Sequence, residues 1–179
     1  MARLKLPEGD KHPIDRLYQL SPGLGDPAMK FRAAIYSQHG LPERLFEACR
    51  MRVAQINGCP ICLATRRAEG SKDGATEDFY SAVEEYRTSP LFNAREKLAI
   101  EYTEKFMLDH HAIDEAFFER ARALFTDEEL MSLAIVVARH MAFGRITTVM
   151  DMITDCPVEG TVQSRGYTSA AAANDHPQY

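Results

Sequence analysis

Asn57-Gly58-Cys59-Pro60-Ile61-Cys62-Leu63-Ala64-Thr65-Arg66 places two cysteines, with two residues between them, at the junction of two helical patterns. Gly58 reaches left-handed backbone angles without a side-chain clash and is suited to end the first helix. Pro60 suits the first turn of the second, where its missing N–H costs no hydrogen bond. Cys59 then falls near the N-cap and Cys62 in the first turn, where free N–H groups and the positive helix end favour a thiolate. A thiol–disulfide pair needs a nucleophile of lowered pKa and a resolving thiol about one turn away. Two other readings stay open: half of a zinc site, or two inert buried cysteines. Zinc asks for about four ligands. Cys49, Cys156 and the six histidines are candidates, but the chain holds no second close pair.

Working outward, Leu45, Phe46, Cys49, Val53 and Ile56 recur at helical spacing and predict a helix over 42–57 opened by Pro42. Glu47 and Met51 lie on the edge of its apolar stripe. A helix from Pro27 to about Gln38 precedes it, capped by Asp26 and ended by Gly40. Residues 1–25, with Pro7, Pro13, Pro22, Gly23 and Gly25, read as an extended arm holding one helical turn near 14–20. Such an arm is loose or packed on a neighbouring subunit. Beyond the cysteines one helix is expected to run to about Ser71 and another over 77–88. The latter's Phe79, Tyr80, Val83 and Tyr86 suit a core better than a cofactor box.

Asn93 to Glu96 forms a capping-box pattern that opens a helix to about Asp109, with Leu98, Tyr102 and Phe106 on one face. His110 and His111 then read as a solvated helix end. After a helix at about 114–124, Thr126-Asp127-Glu128-Glu129 forms a second capping box and opens the most apolar segment, Leu130 to Phe143. A helix apolar on nearly all sides is buried in the fold or at a subunit interface. Arg139 and His140 interrupt it. A buried charge needs a partner, so Arg139 is expected to pair with Glu47 or Glu101. His140 is either a satisfied core histidine or part of the redox pocket wall. The pattern resumes after Gly144, ends near Thr154 before Pro157, and leaves 158–179 as a flexible tail. No strand pattern of weight occurs. The expectation is all-α: one helical domain over 26–157, a compact bundle of about seven or eight helices, oligomeric.

With 179 residues, 45% hydrophobic and 26% charged, the chain has material for one globular domain. Its net charge of −5 argues against nucleic acid or an anionic membrane surface as partner. No apolar run reaches bilayer length. No glycine-rich phosphate loop and no Gly-x-Ser-x-Gly elbow is present. The N-terminus shows no signal-peptide core, so the reading is cytoplasmic, where a close cysteine pair is catalytic or metal-binding.

The run Arg52-Val53-Ala54-Gln55-Ile56-Asn57-Gly58-Cys59-Pro60-Ile61-Cys62 resembles the carboxymuconolactone decarboxylase/alkylhydroperoxidase D-like family. So do Ala94-Arg95-Glu96-Lys97-Leu98-Ala99 and Phe125-Thr126-Asp127-Glu128-Glu129-Leu130. The likeness covers about residues 40–150. It implies an all-helical homo-oligomer with thiol peroxidase or disulfide reductase activity, Cys59 and Cys62 as the redox pair, and Glu47 in its proton relay. The family's histidine falls on Arg66 here. Arg66 can stabilise a thiolate by charge but cannot act as a base, which leaves His140, or water held by Glu47, to replace it. A second departure is Met141-Ala142-Phe143-Gly144-Arg145, where family members often carry asparagines before the arginine.

The expected function is therefore a peroxiredoxin-type oxidoreductase. It would reduce a peroxide, reset by a dithiol electron donor, with no cofactor and no metal. Cys62 is expected to face the peroxide, and Cys59, as the more exposed thiol, to meet the donor. The rival readings are a decarboxylase or lyase acting on a small lactone or carboxylic acid, held by Arg66 and Arg139, and a redox-inactive family member.

Overall fold

Helix α3 (Glu43–Asn57) is the central element of the computed structural model, which describes residues 2–152. Every residue from Leu45 to Met51 in it is buried. Before it lie α1 (Pro13–Gln19) and α2 (Pro22–Gln38), packed on each other. After it come α4 (Pro60–Ala64), α5 (Ala68–Lys72), α6 (Glu77–Ala82), α7 (Ala94–Leu108), a 3-10 turn (His110–Ala112), α8 (Glu115–Arg122) and α9 (Asp127–Val149). No strand occurs among the described residues. Helices α7 and α9 flank α3 and also touch each other. The main core forms where Phe46, Cys49 and Val53 of α3 meet Leu98 and Tyr102 of α7 and Val137 of α9. The aromatic stripe of 79–86 is core, as its composition predicts, and forms a second cluster with Met51 and Ile100.

Both capping boxes form in full: Asn93 with Glu96 opens α7 and Thr126 with Glu129 opens α9. Each such cap contributes about 1 kcal/mol. Gly58 ends α3 at φ 57°, in the left-handed region that glycine enters freely. Against the expectation that no apolar run reaches bilayer length, helix α9 is long and apolar enough, by length and composition, to cross a membrane. Its inward residues Leu133, Val136 and Val137 instead pack in the main core.

Three expectations about the elements are corrected. Helix α2 starts at Pro22 rather than Pro27, and Asp26 lies inside it. Pro22 holds the first-turn position where a proline costs nothing, while Pro27 stands in the interior and forgoes one backbone hydrogen bond. Second, the single helix expected after the cysteines is two helices, because Thr65 is extended at ψ 132°. The Cys62 and Thr65 carbonyls accept from Arg50 at 2.7 and 2.9 Å, so they do not serve a continuing helix. Third, the helix expected over 77–88 ends at Ala82. The expected helix end near Thr154, the stop at Pro157 and the tail from 158 lie outside the described residues, as does Cys156.

Candidate active site

Cys59 is the N-cap residue of α4, and its Sγ accepts from the Cys62 N–H at 3.4 Å. The two cysteines pair as a disulfide with Cα atoms 5.3 Å apart. Their exposure reverses the expectation: Cys59 is 1% exposed, whereas Cys62 is half-buried and lines a cavity. Cys59 is sealed because its N–H bonds the Ala54 carbonyl, which folds the N-cap residue back against the end of α3. Cys49, buried in the core, is pushed up to about 12 by burial and takes no part.

Beneath the cysteines lies a paired buried charge. Glu47 is 0% exposed and accepts from Arg50 Nε at 2.7 Å, from Arg50 Nη2 at 2.8 Å and from the Tyr80 hydroxyl at 2.6 Å. Burial raises the Glu47 pKa, but the Arg50 hydrogen bonds and charge, with the Tyr80 hydroxyl, outweigh it and hold the group below its usual range. A Cβ on Gly70 would stand 2.7 Å from Glu47 Cγ, so helix α5 closes over the carboxylate. Arg50 spends its remaining hydrogen bonds on the cysteine loop. Glu47 thus positions Cys62 through Arg50 and does not itself line the cavity.

Arg66 is also placed off the cavity wall. Its guanidinium pairs with Glu77 at 2.8 Å, lies 4.2 Å over the Tyr80 ring and donates to the Leu63 carbonyl at 2.5 Å. The fourfold spacing from Cys62 does not bring it to the sulfur, because the helix stops at Ala64.

The cavity measures about 140 Å³ and lies between α1, α2, α3, α4 and α9. His140 lines it and is also buried, at 8% exposure. Its Nδ1 lies 2.8 Å from the Val136 carbonyl, which fixes the proton there and leaves Nε2 as an acceptor, 3.4 Å from the Tyr36 hydroxyl. Burial first, then the Arg139 charge, holds His140 well below its usual pKa, so the ring is neutral at pH 7.

Arg139, 7% exposed, was expected to pair with Glu47 or Glu101 and does neither. Arg50 occupies Glu47, and Glu101 pairs with Arg120 and Lys105. Arg139 instead lies between the rings of Tyr36, at 5.3 Å, and Phe143, at 4.6 Å. Sequence reasoning missed Tyr18, Arg32 and Tyr36 on the cavity wall. The available signal was the fourfold spacing of Arg32 with Tyr36 and of Arg139 with Phe143, which sets a cation beside an aromatic on one helix face.

Residues 22–105 match the model of the carboxymuconolactone decarboxylase family. Over 105 residues the chain is 23% identical to Uncharacterized protein YdfG of Bacillus subtilis, covering 58% of this chain and 71% of that protein. Over 101 residues it is 29% identical to Uncharacterized protein YnjA of Escherichia coli, covering 56% of each. Its structure is similar to an uncharacterized peroxidase-related protein from Silicibacter sp. TM1040, with a TM-score of 0.68 at 19% identity over 84% of this chain and 90% of that one. It is also similar to the debrominase Bmp8, with a TM-score of 0.67 at 18% identity over 78% and 75% of the two chains. The C82A variant of Bmp8 has also been solved in complex with 2,3,4-tribromopyrrole.

Proposed function

We propose, from the match of residues 22–105 to the carboxymuconolactone decarboxylase family and the likeness of the fold to the Putative Antioxidant Defence Protein AhpD from Agrobacterium tumefaciens, that this protein is a thiol peroxidase working through Cys62 and Cys59. The observation that carries the reading is the division between the two sulfurs. Cys62 faces a cavity, and Cys59 lies behind it within disulfide reach.

In this reading the Cys62 thiolate attacks the terminal oxygen of a hydroperoxide. The O–O bond breaks, the alkoxide leaves and takes up a proton, and Cys62 becomes a sulfenic acid. The Cys59 thiol then displaces water to form the disulfide. A dithiol donor reduces that bond by thiol–disulfide exchange and is itself oxidised. The sealed position of Cys59 means the donor meets Cys62 first. Neutral His140, through the Tyr36 hydroxyl, is the group on the cavity wall able to take the thiol proton and return it to the alkoxide. Glu47 and Arg50 hold the loop.

The companion proposals are a homo-oligomer and a cytoplasmic setting. Exposed Met131, Ile135, Ile146 and Val149 leave an apolar stripe along α9 for a second copy to cover. The test of the chemistry is a thiol count before and after one equivalent of hydrogen peroxide, with the bond mapped by mass spectrometry. Rapid loss of two thiols to a Cys59–Cys62 disulfide is expected. Replacing Cys62 by Ser should abolish peroxide consumption, and unchanged turnover in that variant would overturn the assignment.

A second reading, a lyase acting on a small carboxylic acid, is favoured by one observation, the cationic Arg139 in the cavity. Activity that survives thiol alkylation would select it.

A further inference from the structure

The cavity beside Cys62 contains two buried polar atoms without a hydrogen-bond partner: Arg139 Nε and the Tyr18 hydroxyl. Such orphans are uncommon in native structures, since each forfeits solvation without compensation. Arg139 is more than nine-tenths buried, and none of the described residues forms an ion pair with it. The ring faces of Tyr36 and Phe143 attract its charge, and the guanidinium also hydrogen-bonds Tyr36, but its Nε–H is left without a partner. Arg32 adds a second cation to the same wall, and its guanidinium also lies over Tyr36, at 5.8 Å. Both arginines act electrostatically on Tyr18, whose hydroxyl burial keeps protonated and able to donate. None of the described residues lining the cavity is acidic. Of the three arginines there, Arg50 is already paired with Glu47, so Arg139 and Arg32, with the Tyr18 phenol, face the cavity with no counter-charge among the described residues. Ile14, Val53, Ile61 and Phe143 supply an apolar part of its wall, beside the neutral polar Asn57, Thr65, His140 and Thr147.

We infer that this cavity binds a small organic carboxylate: its charge sits on Arg139, Arg32 and the Tyr18 hydroxyl, and its apolar body extends toward Cys62. A cavity of about 140 Å³ has the capacity of one benzene-sized ring. The guanidinium fork matches a carboxylate in geometry as well as in charge. Resting on the peroxidase reading, the inference makes the substrate a hydroperoxide that carries a carboxylate at the end away from its O–O bond. The chemistry at sulfur is unchanged; the anion fixes which end of the substrate enters first.

The experiment uses benzoate, with benzamide as its uncharged counterpart, titrated calorimetrically into the full chain. Benzoate should bind one to one and at least tenfold more tightly than benzamide. Cys62→Ser should bind benzoate as the unaltered protein does. Arg139→Met should lose at least tenfold, and Arg32→Met and Tyr18→Phe, which leave the core arginine in place, severalfold. Benzoate should also inhibit consumption of tert-butyl hydroperoxide competitively, with an inhibition constant equal to its dissociation constant. Equal binding of benzoate and benzamide overturns the inference, as does no binding of either. So does unaltered benzoate binding in both Arg139→Met and Arg32→Met. The two readings fail separately. Benzoate binding without peroxide consumption removes the peroxidase and keeps the anion site, while peroxide consumption without benzoate binding does the reverse.

Discussion

Arg50 and Arg139 are both buried arginines close to the cysteine pair, at 3% and 7% exposure, yet their surroundings are opposite. Arg50 donates to a carboxylate from Nε and Nη2 and to backbone carbonyls from Nη1 and Nη2. Arg139 has two aromatic rings, an unpaired Nε and open space. A buried charge that is fully paired serves the fold, because removing one partner strands the other. One left without an anion costs the fold free energy and is suited to a ligand that brings the anion. The same residue type is a strut beneath Cys62 in one place and a receptor in the other.

That contrast can be broken by mutation. Arg50→Ala should destabilise the protein by about 3–5 kcal/mol, since it leaves the Glu47 carboxylate buried and uncompensated; the shift in urea midpoint at pH 7 measures it. If Arg50→Ala were nearly neutral, the strut reading would fail. A smaller effect concerns protons. His140 titrates lower folded than unfolded, so the unfolded chain binds more protons below about pH 6.5, and stability must fall as pH drops from there toward the folded value. The slope from this one ring approaches about 1.4 kcal/mol per pH unit. Urea midpoints at pH 7.5 and 5.5 should converge in His140→Gln relative to the unaltered protein. Buried His39, also lowered by burial against the pull of Glu43, keeps a residual slope in that variant. The smallest expected effect is on Arg139 itself: Arg139→Met should leave stability unchanged or raise it by up to about 1 kcal/mol, because it removes an unpaired charge. A large loss there would place Arg139 with Arg50 among the struts.

The sequence made some of this legible and hid the rest for physical reasons. The stripe Leu45, Phe46, Cys49 and Val53 and the two capping boxes are local patterns, and the structure realises them. The burial of Glu47 and Arg50 is not local. On a 3.6-residue period they lie at the edge of the apolar stripe, and only the closing of α5 and Tyr80 over them turns that edge into interior. Arg139 was legible as an anomaly in an apolar run. What it faces was not, because the cavity needs α1 and α2 brought against α9 from more than a hundred residues away. Fourfold spacing also misplaced Arg66. That reasoning assumes a helix that continues, and Arg50 draws off the carbonyls that continuation requires.

The grip of Arg50 on the Cys62 and Thr65 carbonyls bears on how the cysteine pair cycles. Those carbonyls are anchored to α3 by hydrogen bonds that involve neither sulfur. Opening and closing the bond is then a matter of side-chain rotation at Cys62 over a fixed backbone. No segment has to melt and reform between turnovers, so amide exchange through residues 60–66 should be alike in the two redox states. The site then pays its ordering cost once, at folding, rather than at every cycle.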